Sequence, residues 1–77
     1  SALLVYPNPA TQMIRFARSF ETMSEIEIYS SGGMLVRKSQ LAPRERTIGL
    51  ENISGGLYTL RLMNEKNTFH SRFTVVD

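Results

Sequence analysis

Residues 25–33 read Glu-Ile-Glu-Ile-Tyr-Ser-Ser-Gly-Gly, and this stretch carries the clearest secondary-structure signal in the chain. Its first five residues alternate polar and apolar, so Ile26 and Ile28 share one side of an extended chain, which is typical of a half-buried β-strand. The two serines and two glycines then favour a turn, because glycine adopts the positive φ values that hairpin turns need. An apolar run at residues 34–36 follows at once, so the sequence predicts a β-hairpin.

The same period of two continues along the chain on both sides of this hairpin. Further strands are predicted at residues 3–6, 12–17, 34–40, 46–50, 57–63 and 68–76. The connections are short and rich in Gly, Pro and Asn, and residues 17–22 are interpreted as a loop or a strand edge rather than a helix. Seven short strands with polar connections predict an all-β fold, a seven-stranded immunoglobulin-like antiparallel β-sandwich.

Length and composition indicate one small domain over residues 1–77. The 77 residues are 42% hydrophobic and include no cysteine, so no disulfide or thiolate metal site supports the core. Because the core of so short a chain is marginal by itself, we expect either a part of a larger protein or a very economical sandwich. The alternation assigns to the core Ile14, Phe16, Ile26, Ile28, Leu35, Ile48, Leu50, Leu60, Leu62, Phe73 and Val75.

Few residues suit catalysis or metal binding. His70 is the single histidine, and because it follows Phe69 in a predicted strand we expect it to face solvent. Glu25 and Glu27 are interpreted as a solubilising outer row, and the glycine pairs as turns rather than phosphate loops. Nine Lys and Arg residues are scattered among seven acidic ones, which argues against a nucleic-acid interface. We therefore expect no enzymatic activity, no cofactor and no metal site.

Three tyrosines, Tyr6, Tyr29 and Tyr58, each stand beside a predicted turn. Tyrosines in such places usually lay the ring on the edge of the core and anchor the hydroxyl to a backbone group. The alternative is that the three rings form a carbohydrate-stacking platform. An immunoglobulin-like binding or adhesion module, with a carbohydrate or a protein as its partner, is therefore a second functional hypothesis.

Four short motifs occur in order along the chain: Tyr-Pro-Asn-Pro, Tyr-x-x-x-Gly, Gly-x-Tyr-x-Leu-Arg, and the final strand Arg-Phe-Thr-Val-Val at residues 72–76. The positions that fill the first three are Tyr6, Pro7, Asn8, Pro9, Tyr29, Gly33, Gly56, Tyr58, Leu60 and Arg61. In this order and at this spacing, the motifs resemble those of the type A C-terminal sorting domain of the type IX (Por) secretion system. The resemblance spans the whole chain.

The resemblance implies a delivery role without chemistry of its own. Sorting domains of this kind stand at the C-terminus of a larger precursor in Bacteroidota. They direct the upstream cargo from the periplasm through an outer-membrane translocon to the cell surface, where a sortase commonly removes the domain. The partners implied are therefore the translocon, the sortase and the cargo domain of the same precursor.

The expected recognition surface is the final predicted strand together with its neighbour at residues 57–63. An exposed strand edge favours addition of a partner's strand, and it also favours a strand-mediated dimer. Members of the family commonly carry a basic residue after the last strand, whereas this sequence has Asp77. The residues assigned to recognition are Arg61, Arg72, Phe73, Thr74, Val75 and Val76.

Overall fold

The computed structural model describes residues 2–77, and it contains a strand at each of the seven places where the sequence predicts one. The strands are β1 (Val5–Tyr6), β2 (Met13–Phe16), β3 (Ser24–Ser30), β4 (Leu35–Leu41), β5 (Thr47–Gly49), β6 (Gly56–Met63) and β7 (Thr68–Val75). Residues 17–23 form bends and irregular chain, as the sequence analysis expected of a loop.

The strands form two antiparallel sheets that pack face to face. One sheet has three strands in the order β1-β2-β5, and the other has four in the order β4-β3-β6-β7. Every pairing between named strands is antiparallel. The predicted all-β sandwich is therefore confirmed. We call the side of the four-stranded sheet that faces away from the three-stranded sheet the outer face.

The core between the sheets includes every residue that alternation assigned to it, with one exception. Leu35 is 46% exposed, and its assignment to the core is wrong. The reason is a β-bulge: Arg37 lies opposite Ile28 and Leu35 lies opposite Tyr29, so β4 has one extra residue here. That extra residue turns Leu35 to the outer face, because a shift of one residue reverses the side on which a side chain lies.

Several buried side chains were not assigned to the core from the sequence. The additional buried apolar residues are Leu3, Val5, Ala10, Phe20, Leu41, Tyr58 and Phe69. Phe20 comes from the loop before β3 and packs against Phe69, with ring centroids 5.3 Å apart. The Arg18 guanidinium lies 4.8 Å and 5.2 Å from the centroids of these two rings. The loop thereby covers one end of the sandwich. The alternation of residues within strands does not predict this contact, because Phe20 and Arg18 lie outside the strands.

The two edges of the four-stranded sheet are β4 and β7. On the β4 side, the Arg37 guanidinium donates hydrogen bonds to the backbone carbonyls of Gly49 and Glu51, which lie at the end of the opposite sheet. On the β7 side, residues 2–10 run along the strand and form backbone bridges at Ala2 and Ala10. The sandwich is therefore tied together by an arginine at one edge and by the start of the described chain at the other.

Candidate functional site

The Tyr-Pro-Asn-Pro segment lies directly against the final strand. The Asn8 side-chain carbonyl accepts a hydrogen bond from the Thr74 backbone N–H at 2.9 Å. Ala10 donates its N–H to the Thr74 carbonyl at 2.7 Å and accepts from the Val76 N–H at 2.8 Å. The first and last of the four motifs therefore form one hydrogen-bonded unit, although Asn8 and Thr74 are 66 residues apart in sequence.

The Tyr-x-x-x-Gly motif forms the turn between β3 and β4. The Ser30 N–H donates to the Met34 carbonyl at 2.8 Å, and the Gly33 N–H donates to the Ser30 carbonyl at 2.9 Å. Gly33 has a φ of 88°, which favours glycine, whereas Gly32 is not among the residues with a positive φ. The expectation that both glycines supply a positive φ therefore holds for Gly33 alone.

The Gly-x-Tyr-x-Leu-Arg motif runs along β6 and divides its side chains between the core and the outer face. Tyr58 and Leu60 are buried, whereas Arg61 is exposed. The Tyr58 ring stacks on Phe73 with centroids 5.9 Å apart, and its hydroxyl donates to the Ser54 carbonyl at 2.6 Å. Tyr58 is therefore a structural anchor, as expected for a tyrosine beside a turn.

Glu27 joins two of the motifs on the outer face. The Tyr29 hydroxyl donates to Glu27 Oε1 at 2.9 Å, and Arg61 Nε lies 3.5 Å from the same oxygen. The hydrogen bond to Glu27 raises the pKa of Tyr29, helped by partial desolvation and the Glu27 charge and opposed by the Arg61 charge. We call Glu27, Tyr29 and Arg61 the outer-face cluster.

The strand register extends this cluster into a row of polar side chains across the sheet. Lys38 lies opposite Glu27 on one side, Arg61 lies opposite Glu27 on the other, and His70 lies opposite Arg61. Within this row, Glu27 and Arg61 form an ion pair at 3.5 Å, and opposite charges on adjacent strands attract one another. The outer face therefore presents acidic and basic side chains side by side.

The residues assigned to recognition fall into two groups. Arg61 and Arg72 are exposed, Thr74 is half-buried, and Val76 is 42% exposed. Phe73 and Val75, in contrast, are 1% and 3% exposed and belong to the core. These two side chains are therefore inaccessible to a partner of the folded domain, and a role of their strand in recognition stays a prediction.

The alternative binding site predicted from the tyrosines is not assembled. Tyr58 points into the core and Tyr29 lies on the outer face, whereas Tyr6 lies in the three-stranded sheet. The rings thus occupy three separate surroundings and form no common platform.

Within residues 2–77, no group of three or more His, Cys, Asp or Glu side chains is placed to hold a metal ion. The same residues include no helix with the length and apolarity needed to cross a membrane.

Sequence reasoning did not identify the outer-face cluster or the contact between Asn8 and Thr74. Glu27 was interpreted only as a solubilising residue, although its outward position in β3 is the same as that of Tyr29. Arg61 also points outwards, because it lies between the buried residues Leu60 and Leu62 in β6. The alternation in each strand thus indicates which side chains face outwards, but only the pairing of β3 with β6 shows that Glu27 and Arg61 are neighbours.

The fold and this face together define a small β-sandwich module with a charged outer surface. The chain belongs to the secretion system C-terminal sorting domain family, whose family model matches residues 4–76. It is therefore a C-terminal sorting signal for type IX secretion, in a family of sorting signals rather than catalysts. Membership implies a cargo precursor, a secretion machinery and a destination at the cell surface or outside the cell. Among curated proteins, no relative matches this chain.

Proposed function

We propose that this domain directs an attached cargo from the periplasm through the outer-membrane translocon of the type IX system to the cell surface. The observation that carries the proposal is the match of nearly the whole chain, residues 4–76, to the sorting-domain family. A surface sortase that acts on the delivered precursor is the second partner in this proposal. The domain supplies recognition, and the cargo supplies any chemistry.

The outer face around Arg61 and Arg72 is the surface that we assign to the translocon. The two arginines are exposed and lie on neighbouring strands, with Thr59 opposite Arg72 and His70 opposite Arg61. A guanidinium offers several N–H donors in a planar fork that matches carboxylate geometry. The partner surface expected from this chemistry is acidic.

A reporter fusion tests this assignment. A periplasmic reporter is placed upstream of the domain in a host with a type IX system, and surface and periplasmic reporter are quantified after fractionation. The double variant Arg61→Gln with Arg72→Gln should lower surface delivery by about thirtyfold, since two lost charged contacts of about 1 kcal/mol each remove about 2 kcal/mol of binding free energy. The reporter should then accumulate in the periplasm.

A matched control separates recognition from net charge. Arg15 is exposed on β2 in the opposite sheet, so Arg15→Glu lowers the net charge by two, as the double variant does, without touching the outer face. This variant should be delivered like the wild type. Equal delivery of the control and of the double variant, with both domains folded, would refute the assigned surface. A wild-type fusion that stays in the periplasm would refute the sorting function itself.

A further inference from the structure

The two edges of the four-stranded sheet differ in their accessibility. The β7 edge is occupied, because Leu3 donates its N–H to the His70 carbonyl at 3.0 Å while Asn8 and Ala10 bond to Thr74. The β4 edge pairs with β3 on one side and with no other strand of residues 2–77 on the other side. An unpaired edge leaves a row of backbone N–H and C=O groups free for another strand. The accessible edge is therefore β4, not the final strand that the sequence analysis favoured.

The start of the β4 edge is unusually apolar for an unpaired strand. Met34 is 71% exposed, Leu35 is 46% exposed and Val36 is 41% exposed. Edge strands are usually protected against pairing by charged residues, by proline or by a covering segment. Here the first protecting charge on the outer face is Lys38, beyond the bulge. The three consecutive apolar residues make this part of the edge suitable for burial under a partner.

The strand that already pairs with β4 shows which side chains suit this edge. On the outer face, Tyr29 of β3 lies opposite Leu35, and Glu27 lies opposite Lys38. Cross-strand pairs of an aromatic with an aliphatic residue, and of an acidic with a basic residue, are favourable. A strand on the free side of β4 meets the same two residues, Leu35 and Lys38. Its best side chains are therefore again an acidic residue and an apolar residue two positions apart.

A second copy of this chain fits the edge less well. An antiparallel pair that uses the whole of Leu35–Leu41 from both copies is centred on Lys38, the middle residue of the strand. Each Lys38 would then lie opposite its own copy. Like charges directly opposite one another destabilise a strand pair, so the edge favours a different, acidic partner.

We infer that the free edge of β4 accepts an extended strand of the secretion machinery that carries an acidic residue and an apolar residue two positions apart. This inference rests on the proposed function for the identity of the partner. Backbone hydrogen bonds supply the affinity in such strand addition, and the side chains next to Leu35 and Lys38 supply the selectivity.

Two designed peptides test the inference on the isolated 77-residue chain. The acidic probe is a capped heptapeptide, Ser-Glu-Thr-Glu-Thr-Tyr-Ser, which keeps the outward residues of β3 and replaces its two isoleucines by threonine. The basic probe carries lysine in place of both glutamates. Amide chemical shifts of the isotope-labelled domain are followed during titration. The acidic probe should shift β4 resonances and bind about tenfold more tightly than the basic probe. The reason is that Lys38 lies opposite a glutamate of the acidic probe but opposite a lysine of the basic probe.

Two variants make the result specific to this edge. Lys38→Glu should reverse the preference, so that the basic probe binds more tightly than the acidic one. Val36→Pro places a residue that cannot donate to a strand ladder in the exposed apolar run and should abolish both interactions, and Arg15→Glu on the opposite sheet should change neither. Thermal unfolding of each variant establishes that the domain is folded.

Four results would overturn the inference. The first three are shifts centred on β7, equal binding of both probes, and concentration-dependent self-association through β4 in sedimentation, which would assign the edge to a second copy. Absence of binding to a folded domain also overturns it, whatever the outcome of the reporter fusion. Conversely, a wild-type fusion that remains in the periplasm refutes the proposed function while the peptide result stands on its own.

Discussion

At the scale of single residues, Glu27 determines how the outer face is organised. Its side chain is 15% exposed and interacts with both the Tyr29 hydroxyl and the Arg61 guanidinium. A carboxylate accepts several hydrogen bonds at once, so one glutamate orients a phenol and an arginine from different strands. Exposed ion pairs contribute little to stability, so the main effect expected of this cluster is to help fix the direction in which Arg61 points, together with the contacts of its guanidinium to Met63 Sδ at 3.2 Å and 3.3 Å.

The raised pKa of Tyr29 gives a prediction at this scale. Because the folded state holds the neutral phenol with a pKa above 10.0, its contribution to stability is present below about pH 10 and is lost as the pH rises through the folded-state pKa. The wild type should therefore lose stability more steeply than Tyr29→Phe between about pH 9 and about pH 11. Urea unfolding midpoints across this range measure the difference.

The control for this measurement is Tyr6→Phe. Tyr6 is 40% exposed and lies in the other sheet, away from Glu27. This variant should keep the alkaline loss of stability that the wild type shows. Identical profiles for the wild type and Tyr29→Phe would contradict the role given to the hydrogen bond between Tyr29 and Glu27.

At the scale of elements, residues 2–10 run along β7 and cover this edge of the four-stranded sheet, although they do not form a strand of it. Strand β1 itself pairs with β2 in the other sheet, and the residues on either side of it bond to β7. The segment thus links both sheets, which explains why Leu3, Val5 and Ala10 are all buried although β1 has only two residues. Alternation over so few residues carries almost no signal. The sequence analysis therefore identified the Tyr-Pro-Asn-Pro motif but not its contacts with β7.

Asn8→Ala tests this element. Loss of the side-chain acceptor leaves the Thr74 N–H without its protein partner, and the free energy of unfolding should fall by about 1 kcal/mol. Since about 1 kcal/mol corresponds to roughly a fivefold change in an equilibrium constant, amide hydrogen exchange at Thr74 should become roughly fivefold faster. Asn67→Ala, at an exposed loop position, is the comparison and should change neither quantity. Unchanged exchange at Thr74 in Asn8→Ala would show that the contact does not hold the strand.

At the scale of the whole molecule, the C-terminal strand is part of the core as well as part of the proposed recognition region. Phe73 is 1% exposed and stacks on Tyr58, and Val75 is 3% exposed. Deletion of residues 73–77 would therefore remove core packing and the Asn8 contact together. A sorting defect in such a truncated fusion would report unfolding, so point variants on the outer face are the better test of recognition.

A pair of neighbouring substitutions separates these roles. Phe73→Ala should lower the free energy of unfolding by about 3–5 kcal/mol, the range for truncating a buried aromatic residue. Since the free energy of unfolding of native proteins is only about 5–15 kcal/mol, this variant should be close to unfolding at physiological temperature. Val76→Ala, at a 42% exposed position, should cost less than about 0.5 kcal/mol. Chemical denaturation of both variants measures the difference, and similar stabilities would contradict the assignment of Phe73 to the core.

The sequence by itself determined the seven strands and, apart from Leu35, their inward faces, because period-two alternation and turn residues are local properties of the chain. It also indicated the family, through the resemblance that the four motifs carry. It also led to the correct interpretation of Tyr58 as an anchor. Only the tertiary structure decided that Leu35 faces outwards, since a bulge is defined by the partner strand. Likewise, the burial of Phe73, the covering of the β7 edge by Asn8 and Ala10, and the open edge at β4 follow from contacts between segments far apart in sequence. Such contacts are set by the packing of two sheets as a whole, and no local pattern of residues specifies them.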